Sequence, residues 1–277
     1  MTSLISWVGV DSHGVASVYL ASDSRISWGN NPVWDYGRKL FASRNHPEIL
    51  GYCGDVLFPS QILGQIVEQI DSGILFDSEE PHHQKFHKIA SIIKQSWVDY
   101  PDFTRQGFEV IYCTRQNSRT NANFHVWLLK PTPRNEWYED ELLLPLPSHP
   151  SHTNYSQIIR VTGSGTKSVE DWDNRWASSD IRKTSRAVFS AFFDSLKSGQ
   201  DPRSGGTPQL VGMYRIKPAK SFGIIYKDER YLFGLPVSKA STYGKVEWRN
   251  ELFECCNGRT MMPIEGTQRH ARPNNIT

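Results

Sequence analysis

The sequence of 277 residues predicts an α+β fold in which groups of antiparallel strands alternate with pairs of amphipathic helices. Runs rich in β-branched and aromatic residues open, divide and close the chain, and four segments between them repeat apolar residues at helical spacing. The order is therefore strands, helix pair, strands, helix pair, strands. It fits a four-layer αββα sandwich, with two antiparallel sheets between helical layers, although the pattern alone leaves other α+β topologies open.

The first half of the chain supplies two strand groups and one helix pair. Strands are predicted over residues 4–10, 15–21, 49–53, 108–115, 123–130 and 158–162, with a further short strand within 34–42. Asp11 to Gly14 has the composition of a hairpin turn. Ser60 is predicted to cap a helix whose apolar residues run from Ile62 to Ile70, and a second apolar stripe runs from Phe86 to Trp97.

The second half begins with a Pro-rich stretch at about residues 131–150 and then repeats the pattern of helices and strands. Helices are predicted over 167–176 and 181–198, followed by strands over 210–216, 221–226 and 231–235. All four helices are amphipathic, so each needs a sheet to cover its apolar face. We expect one domain over residues 2–237, with the Pro-rich stretch as an insertion, and a C-terminal extension of unknown role over 238–277.

Composition narrows the class of protein. A hydrophobic content of 38% can bury the core of a globular enzyme. A net charge of +2 from 31 basic and 29 acidic residues gives no electrostatic reason to propose a nucleic-acid partner. The sequence has no apolar run of membrane-spanning length, no signal segment, and four cysteines whose spacing makes a poor disulfide framework. These features predict a cytoplasmic protein that does not bind a membrane.

The first catalytic candidate is Thr2, which directly follows the initiator methionine. Removal of Met1 would place a hydroxyl and a free α-amine on the same residue. The α-amine has an ordinary pKa of about 7.7–8.0, so near neutral pH it can accept the proton of the hydroxyl. Thr2 could then serve as nucleophile and base, without a histidine. Taken alone, a small residue at this position means little.

Two further candidates are Asp23, in the segment Ala-Ser-Asp-Ser-Arg at 21–25, and Lys39. Each has an ordinary interpretation when taken alone: the aspartate as part of a surface turn, the lysine as a solvated side chain. Together they place an acid at the end of the second predicted strand and a cation in the third. The combination with Thr2 indicates a catalytic centre.

These segments, with Lys39-Leu40-Phe41 and Gly51-Tyr52-Cys53-Gly54-Asp55, occur in the order seen in proteasome β subunits and HslV-type peptidases. The chain resembles a proteasome-like N-terminal nucleophile (Ntn) hydrolase over roughly residues 2–235. The resemblance selects the four-layer αββα sandwich. It implies that Lys39 lies beside Thr2, where its charge disfavours the protonated amine, and that Asp23 holds Lys39 in place.

The resemblance also suggests two serines at the site. Ser164, in Gly163-Ser164-Gly165, matches a serine near the terminal amine and is the candidate proton relay; the alternative is a helix cap. Ser221 matches a segment in which the family has an aspartate three residues before a serine. Pro218 occupies that aspartate position here, which favours weaker or differently supported activity.

The oxyanion hole and the first specificity pocket are the least defined parts of the site. Gly51 is the candidate backbone donor to the oxyanion, with Tyr52 or Cys53 as alternatives. Ile26, Phe41 and Cys53 are predicted to line an apolar pocket, which favours an uncharged, hydrophobic side chain before the scissile amide. Cys53 is interpreted as a buried pocket wall and not as a second nucleophile.

No cofactor and no metal are predicted. His82, His83 and His87 have a metal-like spacing, but they precede or begin a helix with no other ligand nearby in sequence. We interpret them as solvated side chains.

The sequence therefore supports two hypotheses. The first is a threonine peptidase acting on peptide or protein substrates, or a related amidase acting on a small amide. The second is a non-catalytic proteasome-like subunit, structural or binding, which Pro218 favours. The resemblance further implies a homo-oligomer, as a ring or a spiral, with an ATP-dependent unfoldase as a partner.

Overall fold

The structure is a computed structural model that describes residues 2–28, 32–77, 79–101, 105–133, 136–144, 155–274 and 276. Its helices are α1 (Leu57–Asp71), α2 (His82–Asp99), α3 (Thr166–Trp176) and α4 (Ser185–Lys197). Its strands are β1 (Ser3–Asp11), β2 (Gly14–Ser22), β3 (Ile26–Ser27), β4 (Val33–Trp34), β5 (Leu40–Ala42), β6 (Glu48–Gly54), β7 (Phe108–Gln116), β8 (Asn123–Pro131), β9 (Trp137–Leu142), β10 (Gln157–Gly163), β11 (Gln209–Tyr214), β12 (Lys220–Tyr226), β13 (Glu229–Leu232), β14 (Leu235–Pro236), β15 (Glu247–Arg249) and β16 (Cys255–Cys256). The predicted α+β class, with antiparallel sheets and four helices in the described residues, is confirmed.

The strands form two large sheets. Over the described ranges the larger sheet has nine strands, in the order β10-β1-β2-β11-β12-β13-β14, with β15 parallel to β12 and β16 beside β15. The smaller sheet is an antiparallel meander, β5-β6-β7-β8-β9. The segment after residue 237 thus adds two short strands to the larger sheet. A third, two-stranded sheet pairs β3 with β4.

Three large apolar cores hold these elements together, and a fourth, smaller one lies between α3 and α4. One packs α1 and α2 against the smaller sheet, through residues such as Leu63 and Phe86. The second lies between the two large sheets and includes Leu4 and Val126. The third packs α3 and α4 against the larger sheet, with Phe189 at its centre. Each of these side chains is at most 1% exposed, so burial of apolar surface is the main stabilising contribution.

The turn of the β1–β2 hairpin lies where the sequence predicted it. Asp11 pairs with Gly14, and Ser12 and His13 are the two central residues of the turn. Gly14 has φ +97°, which glycine adopts without strain. A register shift between Gly9 and Val10 marks a β-bulge near this turn.

Some other predicted boundaries are wrong. Helix α1 begins at Leu57, and the hydroxyl of Ser60 donates to the Leu57 carbonyl oxygen, so Ser60 is not its cap. By contrast, the short strand predicted within residues 34–42 is present as β5. Strand β9 lies within the stretch described above only as Pro-rich, of which residues 134–135 and 145–150 lie outside the described residues.

Among the parts of the chain that the structure describes, no helix combines the length and the apolar character needed to cross a bilayer.

Candidate active site

The hairpin of β1 and β2 brings the two ends of the catalytic segment together. Because the strands are antiparallel, the start of β1 meets the end of β2: Leu4 pairs with Ser22, and the Asp23 amide donates to the Ser3 carbonyl oxygen at 3.2 Å. Asp23 therefore lies opposite Ser3, the residue that directly follows Thr2 in the chain. Lys39 directly precedes β5, whose sheet faces β1 and β2 across the central core.

Asp23 is a fully buried carboxylate that accepts four hydrogen bonds. Its Oδ1 accepts from the Ser3 amide at 3.0 Å and from Lys39 Nζ at 2.8 Å. Its Oδ2 accepts from the amides of Arg25 and Gly205, both at 3.0 Å. Every lone-pair direction of the carboxylate thus has a donor, which offsets much of the cost of burying its charge.

Lys39 is the partner of this carboxylate, and neither side chain has any exposed surface. Besides Asp23, Lys39 Nζ donates to the Arg25 carbonyl oxygen at 2.5 Å. Burial lowers the pKa of Lys39, and the neighbouring Asp23 opposes that shift. Asp23 Oδ1 binds both Lys39 Nζ and the Ser3 amide, which belongs to the Thr2–Ser3 peptide. The ammonium is thereby fixed next to residue 2.

Gln209, the first residue of β11, holds the lysine segment in register. Its side-chain Oε1 accepts from the Lys39 amide at 3.1 Å, and its Nε2 donates to the carbonyl oxygens of Gly37 at 2.7 Å and Asp23 at 3.1 Å. The side chain is 1% exposed. Sequence reasoning missed this residue; its only signal was a polar side chain at the start of an apolar strand.

Thr2 is also fully buried, and its carbonyl oxygen lies against the Gly163–Gly165 turn. The Gly165 amide is 3.5 Å from the Thr2 carbonyl oxygen. Gly163 pairs with Ser3 and has φ +99°, a conformation that favours glycine. The turn therefore positions the backbone of the candidate nucleophile. Met1 lies outside the described residues, so its removal stays a prediction.

We expect Gly163→Ala to destabilise the protein and to disturb the Thr2 backbone. A Cβ at this position would lie 1.9 Å from the Thr2 carbonyl oxygen, and the left-handed backbone adds strain, together costing at least about 1–3 kcal/mol. Thermal or urea unfolding would measure the loss. Gly199→Ala is the matched control, because Gly199 has φ +66° but open space around it. Equal losses in the two variants would show that the contact with Thr2 is unimportant.

Ser164 belongs to a hydrogen-bonded network with Asp201 and Ser204. The hydroxyls of Ser164 and Ser204 both donate to Asp201 Oδ2 at 2.7 Å. Ser3 Oγ donates to Ser204 Oγ at 2.8 Å, which connects the network to the residue after Thr2. Partial burial acts to raise the pKa of Asp201, but the hydroxyls of Ser204 and Ser164, together with the amide and the charge of Arg203, lower that pKa below its ordinary value.

The structure does not bring Ser221 to this network. Ser221 lies on β12, in a row of paired residues that continues through Val211 and Leu20 to Ser6. Three strand spacings, about 14 Å, separate it from β1. An aspartate three residues before a serine does occur at the site, as Asp201 and Ser204. Asp201 is therefore a candidate for the carboxylate that was expected at position 218.

The geometry also speaks against Gly51 as an oxyanion donor. The Tyr52 amide donates to the Lys39 carbonyl oxygen at 3.2 Å, within the pairing of β5 and β6. Successive amides of a strand point to opposite sides, so those of Gly51 and Cys53 face β7, opposite Ile111 and Glu109. All three candidate amides are thus directed toward neighbouring strands of the sheet.

The predicted pocket residues line two cavities instead of one. Ile26 and Phe41 line a cavity of about 710 Å³ whose other walls include Trp34 and Tyr52. Cys53 lines a second cavity of about 300 Å³, next to Ser164. The walls of the first cavity combine aromatic and aliphatic side chains with polar and charged ones from the Lys39 segment and α1, including Arg38 and Glu68. The apolar part is the one expected for a hydrophobic substrate side chain.

Cys53 is an unreactive wall of the second cavity. Its Sγ is 3.4 Å from Thr162 Oγ1, and the residue is 3% exposed. Burial raises the pKa of the Cys53 thiol to about 11, so the thiolate is scarce at neutral pH. This chemistry does not suit a nucleophile.

Comparison with solved structures gives the chain a fold of the proteasome-like class. One similar structure is a Gly-1 mutant of Anbu from Hyphomicrobium sp. strain MC1, 14% identical, with a TM-score of 0.50 over 80% of this chain and 87% of the Anbu chain. Another is eukaryotic HslV from Trypanosoma brucei, 13% identical, with a TM-score of 0.45 over 76% of this chain and 99% of the HslV chain. At these identities the likeness concerns the fold alone. No protein-family model and no curated protein sequence matches the chain.

Proposed function

We propose that the protein is an N-terminal threonine hydrolase of the proteasome-like type that cleaves peptide bonds. After removal of Met1, the Thr2 hydroxyl would attack the scissile carbonyl carbon while the α-amine takes the hydroxyl proton. The C–N bond then breaks, the amine product leaves with that proton, and an ester remains on Thr2 Oγ. Water hydrolyses the ester and restores the hydroxyl.

The observation that carries this proposal is the link from Lys39 through Asp23 to the Thr2–Ser3 peptide. Asp23 Oδ1 holds Lys39 Nζ at 2.8 Å and the Ser3 amide at 3.0 Å. A buried ammonium fixed beside Thr2 favours the unprotonated α-amine, as a base requires. A surface ion pair would supply no such field, because water would screen it.

The serine network is proposed to orient the α-amine and carry its proton. Ser164 remains the candidate relay, and Asp201 and Ser204 take over the supporting role that was expected of Ser221. Because the carboxylate expected near Pro218 is supplied by Asp201, the argument from Pro218 for a non-catalytic subunit no longer holds. Cleavage of a small amide uses the same residues and differs only in substrate.

We also propose the arrangement of layers, the substrate preference and the assembly of this hydrolase. The three apolar cores support a four-layer sandwich of the Ntn type, with residues 2–237 as the hydrolase domain and 238–277 as an extension packed on it. The walls of the Ile26 and Phe41 cavity support an apolar side chain before the scissile bond. Self-association as a ring or spiral, and an ATP-dependent unfoldase, follow from the resemblance.

Mass spectrometry of the intact native chain tests the proposal directly. We expect a chain without Met1 that gains one probe mass on treatment with a peptide epoxyketone, which reacts with the hydroxyl and the α-amine of one terminal residue. Thr2→Ala should lose the label, because it keeps the small terminal residue but lacks the hydroxyl. Thr2→Ser should keep it. Retention of Met1 with no labelling would contradict the mechanism and favour a non-catalytic subunit.

A further inference from the structure

Three metal-ligating side chains meet on the outer face of the smaller sheet, away from the candidate active site. They are His82 at the start of α2, His125 on β8 and Glu141 on β9. His125 Nδ1 is 2.6 Å from Glu141 Oε1, and His82 Nε2 is 3.7 Å from the same oxygen. One ligand atom of each residue lies within 4.8 Å of the other two. We call these three residues the histidine cluster.

The packing of α2 on the sheet places the two histidines. His82 stacks on His125 with ring centroids 3.4 Å apart, and Phe86 stacks on Trp127 with centroids 4.2 Å apart. Four residues of helix rise about 6 Å, and two residues of strand rise about 6.6 Å, so the two stacks match in spacing. The second stack is part of the buried core and fixes the helix over the strand. The cluster is therefore held by the fold, although its members are far apart in sequence.

A neighbouring amide lies within hydrogen-bond distance of one histidine. His82 Nδ1 is 3.0 Å from Gln116 Oε1, so the tautomer that carries its hydrogen on Nδ1 donates to this amide and presents the Nε2 lone pair toward Glu141. Histidine ligands of metal ions commonly donate their second N–H to a carbonyl or carboxylate oxygen in this way. Gln116 on β7 thus has the position of an outer partner that orients a ligand.

We propose that the histidine cluster binds a divalent transition-metal ion of the zinc class. His82 Nε2, His125 Nδ1 and a Glu141 oxygen would be the protein ligands, and water would complete a tetrahedral shell. Tetrahedral zinc separates its ligand atoms by roughly 3.3 Å, so binding draws the present atoms together by up to about 1.5 Å and turns the stacked rings apart. The ion would join α2 to β8 and β9.

Access and charge support this assignment. The side chains of His82, His125 and Glu141 are 23%, 18% and 39% exposed, so an ion can enter from solvent. The carboxylate of Glu141 compensates part of the ion's charge. His82 is therefore not the solvated residue that its neighbours in sequence suggested, because His125 and Glu141 lie beside it in the fold.

Zinc titration of the full, tag-free and metal-stripped chain tests the proposal, with a chromophoric chelator as competitor. We expect one Zn²⁺ per chain and a higher melting temperature in its presence, because the ion binds the folded state. His125→Ala and Glu141→Gln should each weaken binding by roughly 100-fold, and Gln116→Leu by about 10-fold. The exposed neighbours His83 and His87 provide the matched controls, since changing either to alanine should leave zinc affinity unchanged.

Cobalt substitution of the unmutated chain gives a readout that does not depend on the folding of variants. Visible bands typical of tetrahedral cobalt with nitrogen and oxygen ligands would support the cluster. A sulfur-to-cobalt charge-transfer band would point to Cys255 or Cys256 and overturn it. Absence of stoichiometric zinc, or equal loss of affinity in His83→Ala and His125→Ala, would also overturn the proposal. None of these results depends on hydrolase activity.

Discussion

Replacement of Lys39 by methionine should slow labelling of Thr2 by about 10²–10⁴-fold while the protein still folds. Methionine keeps the volume of the buried chain but removes the ammonium that favours an unprotonated α-amine. Loss of a well-placed acid–base contribution costs about 10²–10⁴-fold in rate, so the rate of epoxyketone labelling should fall by that factor. The variant also leaves Asp23 without its cation, at a cost of about 3–5 kcal/mol in the free energy of unfolding.

A second buried pair in the same protein separates these two effects. Lys85 of α2 binds Glu48 of β6 at 3.1 Å, and both side chains are at most 1% exposed. The hydroxyl of Tyr112 also donates to Glu48, at 2.5 Å. This pair lies in the core between α2 and the smaller sheet, away from Thr2. Lys85→Met should therefore lower stability about as much as Lys39→Met and leave the labelling rate unchanged.

The comparison is made at a urea concentration and temperature at which both variants remain folded by circular dichroism. Equal labelling rates in Lys39→Met and the unmutated chain would contradict the proposed role of the ammonium. Equal losses of labelling in Lys39→Met and Lys85→Met would show that the first loss only reflects reduced stability. Both results can be read from the same mass-spectrometry experiment.

The sequence predicted the fold wherever periodicity follows local geometry. The alternation in β1 and β2 and the apolar stripes of α2 and α4 located these elements to within a few residues. The sequence did not predict the ends of elements where those ends depend on tertiary contacts. Ser60 has the chemistry of a helix cap, but Phe58 is already buried in the core below, and the helix includes it. No local pattern carries that information.

For the site, the family resemblance implied the contact between Asp23 and Lys39, and the structure contains it, with Asp23 also bound to the Ser3 amide next to Thr2. The sequence did not reveal the serine network, because the family's aspartate and serine were matched to the segment around Ser221. The same spacing stood in the loop after α4, where Asp201 and Ser204 precede two glycines. Gln209 and the histidine cluster depend on contacts between elements distant in sequence, so spacing alone could not reveal them.

Asp201→Asn should slow labelling of Thr2 by roughly ten- to a hundredfold. The change keeps the shape of the side chain but removes the charge that accepts hydrogen bonds from Ser164 and Ser204 at 2.7 Å. Hydrogen bonds to a charged group contribute about 1.5–3 kcal/mol, which corresponds to that factor if they orient the α-amine for the transition state. Ser204→Ala should have a smaller effect in the same direction, because Ser164 keeps its acceptor.

The control for this prediction is Ser221→Ala, which should leave the labelling rate unchanged because β12 lies three strands from β1. A loss of labelling in Ser221→Ala with none in Asp201→Asn would restore the role first expected of Ser221.

The free energy of unfolding at acidic pH provides an independent test of the Asp201 carboxylate. The pKa of Asp201 is lowered in the folded state, so its contribution is fully present above the ordinary value of 3.8 and is lost as the pH falls through the lower folded value. Asp201→Asn should lose stability at neutral pH and approach the unmutated chain as the pH falls. A merely local packing defect would lower stability equally at every pH, and the two curves would then run parallel.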